Sequence, residues 1–166
     1  MTVAIVDTGP LVALFDRAER HHAWVTERLE ELDAPLLVCE PVLAEAMYLL
    51  ARYPNAQDAV LELIQNGALT VTFRVGEHVD GLRKLLRKYR DMPMSLADAC
   101  IVIMSEIHDR HFVLTLDSDF LVIENMAGLP CLSSALRHSS DPNRTLVSRF
   151  VKRHDRDRRR HHRRGP

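Results

Sequence analysis

The chain has 166 residues, 46% of them hydrophobic and 27% charged, a balance typical of one compact α/β domain with a full-sized core. No apolar run reaches the roughly 18–20 residues needed to span a bilayer, and the first residues lack the basic stretch of a signal peptide, so we expect a cytoplasmic protein without a membrane partner. The three cysteines, Cys39, Cys100 and Cys131, lie in apolar stretches without CxxC spacing. This pattern indicates buried, reduced thiols and argues against a zinc site.

The net charge of −1 conceals an uneven distribution along the chain. Residues 1–150 hold 14 Lys/Arg and 21 Asp/Glu, whereas residues 151–166 hold 8 Lys/Arg and 2 Asp. That basic segment has almost no apolar side chain to bury, which is typical of a disordered tail. We therefore predict one domain over residues 1–136, followed by a polar linker and a basic disordered tail over residues 137–166.

Taken in chain order, short apolar runs alternate with helical patterns. Strands are predicted at Thr2–Val6, Pro35–Val38, Leu69–Phe73 and His111–Thr115, and 130–132 is a candidate for a fifth. Helices are predicted at Pro10–Phe15, Glu19–Leu32, Glu40–Arg52, Ala56–Gln65, Glu77–Tyr89 and, after a Ser95 cap, as far as Met104. Strands separated by helices at this spacing predict a three-layer α/β/α domain with a central parallel sheet of four or five strands.

Four acids fall at related places in this arrangement. Asp7 closes the first strand, and Asp117 follows the fourth. Glu45 lies about one turn into the helix after the second strand, and Asp98 lies in the first turn of the helix before the fourth. Ligands of open α/β sheets bind outside the carboxyl ends of the strands, so the four carboxylates are expected to meet there.

Gathered carboxylates raise one another's pKa, and a divalent cation relieves the conflict. All-oxygen ligands favour Mg²⁺ or Mn²⁺, and one or two such ions can polarise a phosphodiester and activate water. The pattern therefore indicates hydrolysis of phosphodiester bonds.

Four segments carry a resemblance to a known family: Val3-Ala-Ile-Val-Asp7-Thr-Gly-Pro, Pro41-Val-Leu-Ala-Glu45-Ala, Ser95-Leu-Ala-Asp98-Ala and Leu114-Thr-Leu-Asp117-Ser-Asp119-Phe. They resemble, in order and spacing over residues 2–135, the signatures of PIN-domain nucleases, and most closely the VapC-type toxins of toxin–antitoxin pairs. The resemblance implies a Mg²⁺- or Mn²⁺-dependent endoribonuclease that acts on RNA. It also implies a small antitoxin partner and a homodimer.

The resemblance also assigns roles to individual residues. Asp7, Glu45, Asp98 and Asp117 match the acidic quartet. Asp119 matches an accessory metal-binding acid, and Thr8 and Thr115 match hydroxyl positions that orient the carboxylates or the scissile phosphate. After Phe120 the chain departs from the family pattern, because the segment 121–130 is largely apolar where relatives are basic and polar.

Other features have simpler interpretations. Asp7 suits a turn, Asp98 fits a helix-capping box with Ser95, and Asp117 suits a helix start. Arg83, Lys84, Arg87 and Lys88 form a basic helix face that is either solvated or in contact with the RNA backbone. His21 and His22 are expected to face solvent. Trp24 and Tyr48 are interpreted as core or dimer-interface residues.

Two other functions remain open at this point. One is a catalytically silent PIN-like module that binds RNA or protein, and the other is an orphan PIN nuclease without an antitoxin. A haloacid-dehalogenase-type phosphatase is disfavoured because Thr8 and Gly9 follow Asp7 where that class has Asp-x-Asp. A receiver domain is disfavoured because the paired acid after the first strand is absent.

Overall fold

A parallel sheet forms the centre of the molecule. The computed structural model describes residues 2–32, 34–92 and 94–116. Its strands are β1 (Val3–Val6), β2 (Leu36–Cys39), β3 (Leu69–Phe73) and β4 (His111–Leu114), in the spatial order β3-β2-β1-β4. All neighbours pair in parallel, with Ile5 opposite both Leu37 and Val113. The predicted parallel sheet is confirmed, and the candidate fifth strand at 130–132 lies outside the described residues.

The burial of the strands follows from their place in the sheet. Every residue of β1 and β2 is buried, because central parallel strands are covered by helices on both faces. In β3, at one side of the sheet, only Leu69 and Phe73 are buried and Thr70 and Thr72 are exposed. The apolar runs seen in the sequence are therefore those of strands covered on both faces.

In the described part of the chain, six α-helices connect and cover the strands. They are α1 (Thr8–Phe15), α2 (His22–Glu31), α3 (Glu40–Leu50), α4 (Ala56–Gln65), α5 (Val79–Lys88) and α6 (Leu96–Ile107). Helix α1 packs on α2 and α3, α3 packs on α4, and α5 packs on α6. The chain moves from β1 to β3 through α1 to α4 and returns to β4 through α5 and α6. Because crossovers between parallel strands are right-handed, this reversal implies opposite faces of the sheet for the two groups of helices, which is the three-layer architecture. No helix within the described ranges is both long and apolar enough to cross a membrane.

Some helix starts differ from the predicted ones for local reasons. Helix α2 begins at His22 instead of Glu19, because the Asp16 carboxylate accepts the Ala18 N–H (2.9 Å) and holds a turn there. Helix α5 begins at Val79 because Val75–Glu77 forms a separate 3₁₀ turn.

The structure also corrects two interpretations of side chains. His21 and His22 are half-buried instead of facing solvent, and the His22 Nδ1 lies 2.7 Å from the Ala13 carbonyl oxygen. Trp24 is 38% exposed and Tyr48 is 82% exposed, so the core interpretation of both is wrong.

Cys39 and Cys100 are buried free thiols as predicted, whereas Cys131 lies outside the described residues.

The order of the strands places a topological switch point beside β1. From β1 the chain moves outward through β2 to β3, and then returns to place β4 on the other side of β1. The chain thus leaves β1 towards one side of the sheet and enters β4 on the other side, so the carboxyl ends of β1 and β4 form the kind of switch point at which α/β sheets bind ligands. The residues that follow β1 and β4 are Asp7 and Thr115.

Candidate active site at the carboxyl edge of the sheet

Asp7 lies at the switch point with both carboxylate oxygens engaged. Its backbone N–H donates to the Leu114 carbonyl (3.0 Å) and so extends the pairing of β1 with β4 by one residue. Its Oδ1 accepts the Thr8 backbone N–H (2.6 Å), and its Oδ2 accepts the Thr115 hydroxyl (2.7 Å). Because the side chain is only 7% exposed, these bonds hold a nearly buried carboxylate in one orientation. Asp7 is also the N-cap residue of α1. Its role in the turn after β1 is therefore compatible with its predicted role as a metal ligand.

Glu45 reaches the same place from a different segment. It lies on α3, is exposed, and its Oε2 accepts a hydrogen bond from the Thr8 hydroxyl (3.1 Å). Thr8 thus donates its backbone N–H to Asp7 and its hydroxyl to Glu45. One threonine therefore connects two acids that are far apart in the sequence.

Asp98 forms the capping box that the sequence predicts. Its Oδ2 accepts the Ser95 N–H (2.8 Å), and its own N–H donates to the Ser95 Oγ (3.1 Å). These bonds fix the first turn of α6, where Asp98 is half-buried.

A buried pair of thiols joins the beginning of α6 to the end of β2. The Cys100 thiol donates a hydrogen bond to Cys39, the last residue of β2 and the N-cap of α3. This bond lowers the pKa of Cys39, while burial and the nearby Asp7 carboxylate oppose the shift. The pKa of Cys100 is raised because its thiol is the donor and is buried. The contact joins α6 to the start of α3 close to Asp7, and the sequence spacing contains no sign of it.

Glycine at position 9 allows the chain after β4 to approach α1. A Cβ placed on Gly9 would lie 3.3 Å from the Leu116 Cβ, which is tighter than most real contacts. Leu116 immediately precedes Asp117. The segment that leads to the fourth acid therefore passes directly beside the helix turn that follows Asp7.

Within residues 2–32, 34–92 and 94–116, no three His, Cys, Asp or Glu side chains lie close enough to hold a metal ion together. Asp117 and Asp119 lie outside the described residues. Of the other three acids of the predicted quartet, Asp7 and Glu45 are joined through Thr8, whereas the hydrogen bonds of Asp98 go to Ser95. The side-chain oxygens linked to Asp7, directly or through Thr8, are the hydroxyl of Thr115, the hydroxyl of Thr8 and the carboxylate of Glu45. Such hard ligands suit Mg²⁺ or Mn²⁺ and do not suit zinc.

The predicted basic face of α5, formed by Arg83, Lys84, Arg87 and Lys88, is exposed throughout. Helix α5 forms a hairpin with α6, and a Cβ on Gly81 would lie 2.9 Å from the Ile103 side chain. Because the two helices run in opposite directions, the end of α5 with Arg87 and Lys88 lies level with the first turn of α6. The basic face of α5 therefore extends along this helix towards the first turn of α6, which carries Asp98.

Comparison with known proteins gives consistent matches. The family model of the PIN domain matches residues 4–125. A ribonuclease of Mycobacterium tuberculosis, VapC26, is 33% identical over 115 residues, which is 68% of this chain and 85% of that protein. The crystal structure of M. tuberculosis VapC20, described as a sarcin-ricin loop cleaving toxin, superposes with a TM-score of 0.66 at 18% identity. That match covers 76% of this chain and 96% of the other, and at this identity it is a likeness of fold.

Proposed function

Because this chain belongs to the PIN-domain family and, within it, to the VapC ribonucleases, we propose that it hydrolyses RNA phosphodiester bonds as a metal-dependent endoribonuclease. The observation that carries the proposal is the link from Asp7 through Thr8 to Glu45 at the switch point of the sheet. Helix capping alone explains why the Thr8 backbone N–H bonds to Asp7, but it does not explain why the hydroxyl of the same threonine bonds to a second acid on another helix.

In this proposal Asp7, Glu45, Asp98 and Asp117 hold one or two Mg²⁺ or Mn²⁺ ions, with Asp119 as an accessory ligand. The bound metal supplies polarisation of the scissile phosphate and a lowered pKa for the attacking water. Asp7 is already oriented by its two hydrogen bonds, so little rearrangement of this ligand is needed when a cation arrives.

Thr8 and Thr115 are proposed as orienting residues. Each donates its hydroxyl to one carboxylate, Thr8 to Glu45 and Thr115 to Asp7. A hydrogen bond of this kind fixes which oxygen lone pairs face the centre of the site, and it favours the ionised carboxylate that a metal ligand must be.

The basic face of α5 is proposed to contact the RNA backbone. An acidic site repels a polyanion, and cations placed beside it attract the phosphates and steer the strand. The variant Arg87→Ala/Lys88→Ala is expected to reduce the slope of log affinity against log salt by roughly 1.4, about 0.7 for each lost contact with single-stranded RNA. Arg110→Ala is the control, because Arg110 is exposed at the opposite edge of the sheet, just before β4. An unchanged slope in the double variant would exclude the α5 face.

Cleavage of total RNA tests the proposed activity. Wild-type protein is expected to cut RNA in Mg²⁺ and to stop when the metal is chelated, and Asp7→Asn and Asp98→Asn are expected to lose at least a hundredfold in rate. Asp109→Asn is the matched control, since this exposed acid lies beyond α6 at the amino edge of the sheet. Equal cleavage by all four proteins would refute the assignment of the site, and no cleavage by the wild type would favour the silent binding module.

We further propose that the protein is a toxin of the cytoplasm, held inactive by a small antitoxin. Exposed apolar side chains such as Tyr48 (82%) and Leu49 (41%) on α3 support a homodimer or an antitoxin contact. Expression in a bacterial host should arrest growth, and expression of Asp7→Asn should not. If the purified enzyme cuts RNA but growth continues, the orphan nuclease is the better description.

A further inference from the structure

Side-chain hydrogen bonds at both ends of α1 join it to α3 and to the turn that follows α3. At the carboxyl edge of the sheet, Thr8 donates to Glu45. At the far end, the Tyr53 hydroxyl donates to the Asp16 carboxylate. Asp16 is the C-cap residue of α1, and Tyr53 stands in the turn after α3, where its N–H bonds to the Leu50 carbonyl (2.9 Å).

The two links have the same register. Thr8 and Glu45 are 37 residues apart, and so are Asp16 and Tyr53. The equal separation means that α1 and α3 run parallel and side by side, with the links eight residues apart along each chain. Along α1, at 1.5 Å per helical residue, this separation is about 12 Å, a little over two turns. A pair of parallel helices held at two points can neither slide nor tilt freely.

The far link is a specific polar arrangement. Asp16 accepts from Tyr53 on Oδ2 and from the Ala18 N–H on Oδ1 (2.9 Å), so both of its oxygens are used. The Arg52 guanidinium lies 5.1 Å from the centre of the Tyr53 ring. The Tyr53 hydrogen bond lowers the pKa of Asp16, and the same bond raises the pKa of Tyr53.

Glu45 depends on this arrangement because its carboxylate is exposed and its bond to Thr8 is moderate in length, at 3.1 Å. The placement of the carboxylate is therefore set mainly by the position of α3. Helix α3 is followed by a turn in which Asn55 adopts φ +63°, so the chain reverses sharply just beyond Tyr53.

We propose that Asp16 and Tyr53 are positioning residues that fix α3 against α1 and thereby place the Glu45 carboxylate beside Asp7. The inference rests on the proposed function for its catalytic consequence. Displacement of a reacting group by about an ångström can cost up to a hundredfold in rate, so a link remote from the chemistry can control it.

The test compares variants that remove the far link with one that retains it. Tyr53→Phe keeps the ring and removes the donor, and Asp16→Ala removes the acceptor. Asp16→Asn keeps an oxygen for Tyr53 and is the rescuing variant. Gln57→Ala is the matched control, because the Gln57 side chain ties α3 to α4 through the Met47 carbonyl (2.7 Å) and does not reach α1.

Tyr53→Phe and Asp16→Ala are expected to lower kcat for RNA roughly tenfold while KM stays within about twofold. Asp16→Asn and Gln57→Ala are expected to retain a kcat near that of the wild type, even where their melting temperatures fall. A wild-type kcat in folded Tyr53→Phe would overturn the proposal, and so would an equal loss of kcat in Gln57→Ala.

A second measurement keeps the inference separate from the proposed activity. If the wild type cuts no RNA, the proposed function fails, and NMR of the amide signals then decides the positioning role alone. In Tyr53→Phe the amide signals of Thr8 and Glu45, about 12 Å from the substitution, are expected to move. Unmoved signals for both residues would overturn the inference.

Discussion

Replacement of Thr115 by valine gives the sharpest test of how Asp7 is held. The Thr115 hydroxyl donates to Asp7 Oδ2 at 2.7 Å, and valine keeps the branched shape while it removes this donor. Because Asp7 is only 7% exposed, water cannot easily replace the lost bond. The substitution therefore isolates the hydrogen bond from packing.

The expected magnitude follows from the chemistry of that bond. A hydrogen bond to a charged group contributes about 1.5–3 kcal/mol to stability, so the free energy of unfolding should fall by roughly 2 kcal/mol. For a protein of this size, 1 kcal/mol corresponds to roughly 2–4 °C, which predicts a fall in melting temperature of roughly 4–8 °C.

The assay is urea unfolding at neutral pH with a chelator present, so that no metal compensates for the loss. Thr72→Val is the matched control, because Thr72 is an exposed residue of β3 and its hydroxyl is solvated. That control should stay within about 0.5 kcal/mol of the wild type. In a double-mutant cycle, Thr115→Val should cost less when Asp7 is already alanine. Equal stability of Thr115→Val and Thr72→Val would refute the reasoning.

Three further outcomes are expected. Gly9→Ala should lower RNA cleavage at least severalfold, because its Cβ would press on Leu116 at 3.3 Å and displace the segment that leads to Asp117; a wild-type rate would contradict this. The stability difference between wild type and Tyr53→Phe should be constant between about pH 5 and pH 9 and should shrink on both sides. The pKa of Asp16 is lowered from its ordinary value of 3.8, so its contribution to stability is present above pH 3.8 and is lost as the pH falls below that value. The pKa of Tyr53 is raised from its ordinary value of 10.0, so its contribution to stability is present below pH 10.0 and is lost at higher pH. Urea unfolding across pH checks this, and a difference that does not change with pH would contradict it. The variant Arg87→Ala/Lys88→Ala should weaken RNA binding in low salt more than in high salt, and fluorescence anisotropy measures this; an equal loss at both salt concentrations would speak against backbone contacts.

Patterns in the sequence predict the strands well, because burial on both faces demands uninterrupted apolar runs. Val3–Val6 is such a run, and the structure has it as β1. The capping box of Ser95 and Asp98 was also predictable, because it is local and depends on two residues three positions apart.

Contacts between distant segments carry no comparable signal. The bond between Tyr53 and Asp16 and the pairing of Cys39 with Cys100 depend on how helices are placed over the sheet. No spacing in the chain encodes them. The end of the first strand predicted the place of Asp7, whereas the place of Glu45 and the role of Thr8 rested mainly on the resemblance, and the geometry of the link between them came from the structure.

The central claim is that four segments build one acidic metal site. Measurement of Mn²⁺ binding is the most direct test of this claim. Titration followed by electron paramagnetic resonance, on wild type and on single variants, gives the affinity without any need for substrate. Asp7→Asn, Glu45→Gln, Asp98→Asn and Asp117→Asn are each expected to weaken binding at least tenfold, while Asp109→Asn leaves it unchanged. Wild-type Mn²⁺ affinity in Asp7→Asn would contradict the account.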